Sequence, residues 1–277
     1  MRICVTGNKG FVGGALQRAI EAKGWICLGI EQWIFERGKW HEMLTQYVEK
    51  LNPDAIFHVG AIADTRCTDV PMIMTRNVLS TMLLSDWCQA NNKPFIFSSS
   101  ASVTGSSGLP ETLYAASKYI GETYAIGRRQ VALRYFNVYG ENEYHKGKMA
   151  SVACQAYMKC KWGEPFRLFP TGPRRDFVYI QDVVDANLHA LENYEGIRGK
   201  YYDVGSGQDR SFEEVMDILG LRYEYAEADS IPENYQQFTK ANPELFMPGW
   251  TPKYTIEEGL PRYLAHMRIS TVDPSLS

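Results

Sequence analysis

The sequence predicts an α/β fold: a doubly wound parallel sheet with a smaller C-terminal lobe. Three observations point there. The chain opens on the apolar run Ile3-Cys4-Val5, which leads straight into Thr6-Gly7-Asn8-Lys9-Gly10-Phe11-Val12-Gly13. Further apolar runs at 25–30, 55–59, 94–98, 131–136 and 200–204 alternate, for most of that length, with helical patterns at 11–23, 39–51, 75–90 and 112–127. Such alternation builds parallel strands covered by helices on both faces. Beyond Asn137 the pattern changes to a region rich in Gly, Lys, Pro and aromatic residues, which marks the lobe.

The first element is a strand that enters a glycine turn and opens a helix. Gly7 permits the sharp turn, Gly10 permits backbone N–H groups to approach a pyrophosphate, and Gly13 permits the helix to lie close on the strand. Phe11 and Val12 begin that helix, whose N-terminus offers partial positive charge to phosphates. Glu31 ends the second strand, where an acid for a dinucleotide's ribose belongs. It favours NAD by repelling a 2′-phosphate. Lys9, Arg37 and Lys39 keep NADP as the alternative.

Residues 32–54 have room for one helix and hardly for another strand. The sheet is therefore expected to lack one edge strand and to hold six or seven. His58 ends an apolar strand and reads as a packed structural histidine. The strand at 94–98 runs into Ser98-Ser99-Ser100. The helix after it carries Tyr114 and Lys118, whose four-residue spacing puts phenol and ammonium on one face. A free phenol has a pKa near 10, and a nearby ammonium lowers it toward the range of a useful base.

In the lobe, one helix is expected near 149–161 and another near Asp182, with Asp182 as its cap. Ser211 and Glu214 form a capping-box pattern for a further short helix. Five prolines between 224 and 262 read as loop, and the tail from Ile269 to Ser277 as frayed. The expected division is 1–138 with 176–205 as the dinucleotide-binding domain, and 139–175 with 206–268 as the lobe.

The 277 residues are 45% hydrophobic and 22% charged, an ordinary globular composition, with a formal net charge of −3. That balance gives no reason to expect nucleic acid or an anionic membrane as partner. Six cysteines without a CxxC pair fit reduced thiols in a cytoplasm. No metal-ligand pattern is present, and no apolar run reaches the roughly 18 residues of a membrane span.

With these pieces in place the chain resembles the extended short-chain dehydrogenase/reductases, the Rossmann-fold nucleotide-sugar epimerases and dehydratases. The resemblance rests on Thr6 to Gly13, Phe57-His58-Val59-Gly60-Ala61, Asn77, Phe95 to Ser100, Tyr114 with Lys118, Arg134 to Gly140, and Arg175-Asp176-Phe177-Val178-Tyr179. It implies hydride transfer between a sugar carbon and a nicotinamide. Tyr114 would move the hydroxyl proton, Lys118 would hold the nicotinamide ribose and tune Tyr114, and Ser100 would hydrogen-bond the reacting oxygen. Ser98 and Ser99 would bond locally at the strand end. Gly60, Ala61, Asn77 and Val138 would join the glycine turn in binding the cofactor. Asn137, Phe169, Arg175 and Tyr235 would hold the nucleotide-diphosphate sugar, with Arg175 on the diphosphate.

Within that family, Asn137 to Gly140, His145-Lys146-Gly147-Lys148-Met149-Ala150-Ser151, Phe169 and Tyr235-Gln236-Gln237-Phe238-Thr239 look like the ADP-glyceromanno-heptose 6-epimerases. That branch would make Lys146 a second acid/base, and would place the chain in surface polysaccharide biosynthesis. The sibling activities are 4-epimerase, 4-reductase and 4,6-dehydratase. A dehydratase normally has an Asp-Glu pair where this chain has Ala101-Ser102. A non-catalytic NAD-binding regulator is the remote alternative. The segment 101–113 is shorter than the family's, and Thr104 stands where a Tyr is usual. A homodimer or higher homo-oligomer is expected.

Overall fold

The computed structural model describes residues 1–36, 38–105, 108–227 and 236–270. The chain runs β1 (Arg2–Thr6), α1 (Phe11–Ala22), β2 (Ile26–Ile30), α2 (Trp40–Leu51), β3 (Ala55–His58), α3 (Val70–Ile73), α4 (Ser80–Ala90), β4 (Phe95–Ser100), α5 (Leu113–Gly127) and β5 (Val131–Tyr135). It continues through β6 (Asn137–Tyr139), α6 (Val152–Lys161), β7 (Phe166–Leu168), β8 (Arg174–Tyr179), α7 (Ile180–Glu192), α8 (Tyr194–Ile197) and β9 (Lys200–Val204). The last elements are β10 (Asp209–Ser211), α9 (Phe212–Leu219), β11 (Tyr223–Tyr225) and α10 (Ile256–Ser270).

Two compact units divide the chain. One comprises Met1–Tyr135, Val184–Asp203 and Leu245–Trp250; the other comprises Phe136–Val183, Val204–Glu244 and Thr251–Ser277. In the first, six described strands form a sheet in the order β2-β1-β3-β4-β5-β9. β1 pairs in parallel with β2 and β3, β3 with β4, and β4 with β5. Strands covered on both faces should be apolar throughout. Accordingly, Ile3, Cys4, Val5, Ala55, Ile56, Phe57, Phe95, Ile96, Phe97, Val131, Ala132 and Leu133 are all buried.

Between Ile30 and Ala55 the described residues form a 3₁₀ turn (Gln32–Glu36) and α2, with no strand. β2 is therefore a sheet edge, as the short segment predicts. α2 covers that side with Leu44 and Val48, which join Ile34, Cys4, Ile56 and Trp87 in one core cluster. Between α3 and α4 the backbone widens into a π turn, Met74–Leu79. No pattern in the sequence announces it.

In the second unit β8 is central. It pairs in parallel with β6 and antiparallel with β10. Residues 237–239 lie along it too, with Asp176 N–H donating to the Thr239 carbonyl at 2.9 Å and Thr239 N–H to the Arg174 carbonyl at 3.1 Å. α9 carries the expected capping box of Ser211 and Glu214. α6 starts at Val152, behind a Ser151 cap.

Two expectations for this region are corrected. Asp182 is no cap: it sits inside α7, and its carboxylate accepts the backbone N–H groups of Lys253 (2.8 Å) and Tyr254 (3.1 Å). The expected loop gives way at its end to α10, Ile256–Ser270; of the expected tail, 271–277 lie outside the described residues. Ile256, Leu260, Tyr263 and Met267 bury their side chains along it. Their spacing is helical, and burying that stripe outweighs Pro261, which lacks one N–H and disfavours a helix interior.

Candidate active site

The glycine turn is built as a cradle. Gly7 has φ +66°, and its N–H donates to the Ile30 carbonyl at 2.8 Å. A Cβ on Gly13 would lie 2.0 Å from the Gly7 carbonyl oxygen, and one on Gly7 would lie 2.9 Å from Gly60 Cα. Gly60 and Ala61 thus begin a loop that runs against the turn. Gly10 precedes α1 without a side-chain cap, and Phe11, Val12 and Gly13 open the helix, the end at which helices commonly receive an anion. Those features fit a dinucleotide's pyrophosphate.

A hydrogen-bond relay of fixed polarity braces this cradle. Gly60 N–H donates to Thr6 Oγ1 (2.8 Å), and Thr6 Oγ1 meets His58 Nδ1 at 2.9 Å. His58 Nε2 meets Thr81 Oγ1 at 2.9 Å, and Thr81 donates to the Asn77 carbonyl at 2.6 Å. Because Thr81 spends its proton on Asn77, it accepts from His58; the proton of His58 is then on Nε2, and Thr6 donates to Nδ1. Burial, with the Lys118 charge second, pushes the His58 pKa down to about 3, so the ring is neutral. His58 is structural, as read. Asn77 is more occupied than expected: its side chain exchanges bonds with Ile62 N–H (2.8 Å) and the Ile62 carbonyl (3.0 Å), and donates to Ser117 Oγ (3.0 Å).

Glu31 stands at the end of β2, and its Oε1 accepts Lys9 N–H at 2.9 Å. The carboxylate is thereby held at the turn. Lys39 pairs with Glu42 at 3.5 Å, and Arg37 lies outside the described residues. A 2′-phosphate beside Glu31 meets like charge, so isothermal titration of cofactor-free protein is expected to give at least tenfold tighter binding of NAD than of NADP, about 1.4 kcal/mol. Preference for NADP would mean that Lys9 or its basic neighbours dominate.

At the end of β4, Ser100 hydrogen-bonds to Tyr114 and also accepts from Ser102 Oγ at 2.9 Å. Thr112 caps α5 by accepting Ala115 N–H, which seats Tyr114 in the first turn. One turn on, Lys118 is buried, with Nζ donating to the Ser98 carbonyl at 2.7 Å and lying 5.0 Å from the Phe97 ring centroid. Burial pushes the Lys118 pKa down to about 7. The expected depression of Tyr114 is not found in the protein alone. Desolvation raises its pKa, and the Ser100 bond offsets this only in part. Ser98 and Ser99 do not bond locally either. They reach Tyr135 Oη (2.9 Å) and Glu122 Oε2 (2.6 Å) on neighbouring elements.

The second unit holds the other predicted residues. Asn137 Nδ2 donates to the Asp176 carbonyl and to Thr239 Oγ1, both at 3.0 Å. Val138 lies beside Val178 in the β6–β8 register. Arg175 is buried, donating to the carbonyls of Arg174 (2.9 Å) and Gln236. Phe169 follows β7 and is half-buried, and Tyr235 lies outside the described residues. Asp176, missed as a site residue, is fully buried and accepts four bonds: from Ser206 N–H and Oγ, Gly207 N–H and Ala241 N–H.

Lys146 lies on a 3₁₀ turn, Tyr144–Met149, kinked at Gly147. Its Nζ is 3.8 Å from Glu143 Oε2. Glu143 is fully buried and also accepts Ser151 N–H and Oγ, both at 2.6 Å. Burial lowers the Lys146 pKa against the opposing pull of Glu143. Glu143 was not singled out in the sequence, although it stands three residues before Lys146, one helical step away.

Residues 3–205 match the model of the NAD dependent epimerase/dehydratase family. The chain belongs to that family. Among solved structures it is similar to the Helicobacter pylori ADP-L-glycero-D-manno-heptose-6-epimerase, at 27% identity over 96% of each chain with a TM-score of 0.83. It shares its fold with the Thermotoga maritima UDP-glucose 4-epimerase, crystallised with UDP-glucose (23% identity, 98% of this chain and 100% of that one, TM-score 0.83). The same fold recurs in the Bacillus anthracis dTDP-glucose 4,6-dehydratase in complex with NAD (19% identity, 99% and 98%, TM-score 0.81). Membership gives this epimerase/dehydratase-family chain its Rossmann-like architecture and its nucleotide-sugar chemistry in outline. Among its described residues no helix is long and apolar enough to cross a membrane, the six cysteines are free, and no cluster of potential metal ligands occurs.

Proposed function

We propose that this family member inverts one carbon of a nucleotide-diphosphate sugar by transient oxidation with bound NAD, and that the substrate is an ADP-heptose inverted at C6. The observation that carries the reading is the Ser100–Tyr114 hydrogen bond at the end of β4, one helical turn from buried Lys118. NAD supplies the hydride acceptor and donor. Ser100 holds the reacting hydroxyl, and Tyr114 takes its proton as the carbon becomes a planar ketone. Lys118, on the same helix face as Tyr114, supplies the positive charge that favours the phenolate. The turn that Gly7 and Gly13 make possible, with Gly60 packed against it, receives the pyrophosphate at Gly10, and Glu31 takes the ribose hydroxyls. Asn137, Phe169, Arg175 and Tyr235 are assigned to the nucleotide sugar. Homo-oligomeric assembly in the cytoplasm completes the proposal.

Returning hydride to the opposite face of the ketone leaves an alkoxide that Tyr114 cannot protonate from its own side. We assign that proton to Lys146. Its support is the His145-Lys146-Gly147 sequence, the buried Glu143 at 3.8 Å, and a pKa lowered toward the range of acid/base work. Ala101-Ser102 in place of an acid pair speaks against the dehydratase.

The test is a nucleotide-sugar screen by NMR, watching for an inverted carbon without net redox. ADP-L-glycero-D-manno-heptose and UDP-glucose are the first two probes. Inversion of the heptose at C6 is expected; inversion of glucose at C4 would move the chain to the 4-epimerases. With the heptose, Lys146→Met is expected to abolish net inversion while hydrogen exchange between substrate and labelled cofactor continues. Inversion at wild-type rate in that variant would reduce Lys146 to an electrostatic contact.

A further inference from the structure

α5 presents residues 114, 118 and 122 at four-residue intervals, and each addresses a different residue of the strand beneath it. Tyr114 bonds Ser100, Lys118 bonds the Ser98 carbonyl, and Glu122 accepts from Ser99 Oγ at 2.6 Å. Glu122 is 2% exposed, a setting in which a carboxylate is costly unless fully paired. Arg134 of β5 pairs it at two points, Nη2 to Oε1 at 2.6 Å and Nε to Oε2 at 2.9 Å. The guanidinium in turn lies 3.5 Å from the centroid of the Tyr201 ring. Ser99 and Arg134 are register partners across β4 and β5. One carboxylate therefore holds two adjacent strands and the helix, one residue before Ser100.

Apolar side chains would hold these elements together at least as well, since replacing a buried ion pair by hydrophobic residues is often neutral or stabilising. What they would lack is direction. A two-point guanidinium–carboxylate contact fixes both the sliding and the rotation of α5 over β4. We propose that Glu122 and Arg134 are positioning residues that set the height of Tyr114 against Ser100. This rests on the reading of Ser100 and Tyr114 as the reacting pair. The motif spacing was open to view in the sequence, because Glu122 follows Lys118 by one turn. Its partner was not, because strand register brings Arg134 to it.

The test uses the full chain and the double variant Glu122→Leu/Arg134→Met. The first readout needs no substrate: ultraviolet difference titration of Tyr114, isolated by subtracting Tyr114→Phe in the same background. Slippage of α5 breaks the Ser100 bond, which lowers the Tyr114 pKa, so the phenol is expected to titrate higher than in the parent. The second readout is turnover of ADP-L-glycero-D-manno-heptose. A displacement near 1 Å predicts a kcat about 10²-fold lower with KM unchanged, at a melting temperature close to the parent's. If the double variant fails to fold, Glu122→Gln, which keeps the shape and removes the charge, is expected to lower kcat about tenfold with KM unchanged. Unchanged turnover in a folded double variant overturns the proposal, and so does unchanged turnover in Glu122→Gln. Full activity in Tyr114→Phe overturns instead the reading on which it rests.

Discussion

Tyr114→Phe is expected to lower turnover by about 10²-fold or more while nucleotide-sugar affinity stays within about threefold. The ring remains, so the contacts of a half-buried aromatic side chain are kept. What goes is the oxygen that hydrogen-bonds Ser100 and moves the proton. Burial favours the protonated phenol in the protein alone, so the wild type carries its proton donor ready-made for the return step. Taking a proton in the forward step requires positive charge nearby. Lys118, with a pKa of about 7, is partly charged at neutrality and is the cation on the same face. Steady-state kinetics on the sugar identified by the NMR screen, with affinity by titration, separates the two effects. Loss of affinity equal to the loss of rate would mean that Tyr114 binds rather than reacts.

Gly13→Ala is expected to abolish NAD binding at cofactor concentrations about 10²-fold above the wild-type Kd, and to destabilise the fold by about 1–3 kcal/mol. The added methyl would meet the Gly7 carbonyl oxygen at 2.0 Å, the Gly7 carbonyl carbon at 2.7 Å and Asn8 Cα at 3.0 Å. All three are backbone atoms, so relief requires moving the turn that receives the pyrophosphate. The adjacent glycine is the control. At Gly14 the same methyl lies 3.5 Å from the Asn8 carbonyl oxygen, ordinary contact, on a helix that Ala favours. Gly14→Ala should therefore keep cofactor binding and raise stability by about 1 kcal/mol. NAD titration and thermal denaturation of both variants check the contrast. Equal behaviour of the two would show that the turn adapts.

The parts legible in the sequence are those whose cause is local. Ile3-Cys4-Val5 is apolar because its strand is covered on both faces, and Gly7 to Gly13 is spaced by the turn itself. Ser211 and Glu214 meet within one helical turn. The short segment after Glu31 correctly removes a strand because chain length alone limits what it can form. The illegible parts depend on partners brought from far away. Asp182 looks like a cap until Lys253 and Tyr254 supply the N–H groups it accepts. Ser99 looks like a strand-end hydroxyl until Glu122 arrives beneath it. α10 is hidden for another reason: five prolines between 224 and 262 give the segment a loop's composition, while the stripe Ile256, Leu260, Tyr263 and Met267 has a helix's spacing.

The π turn at Met74–Leu79 bears on how sequences of this kind are to be aligned. A π turn holds one residue more than the α turn it replaces, and π bulges gather at functional sites. Removing a single residue there lets the chain close as an ordinary α-helix, at about 100° per residue. Whatever lies on the shortened side then turns by that angle. Asn77 sits inside the turn, with its amide fitted to both backbone groups of Ile62 and to Ser117. A relative whose alignment shows a one-residue gap here, with every motif intact, differs at the Ile62 loop more deeply than one carrying several point changes on the surface of α4.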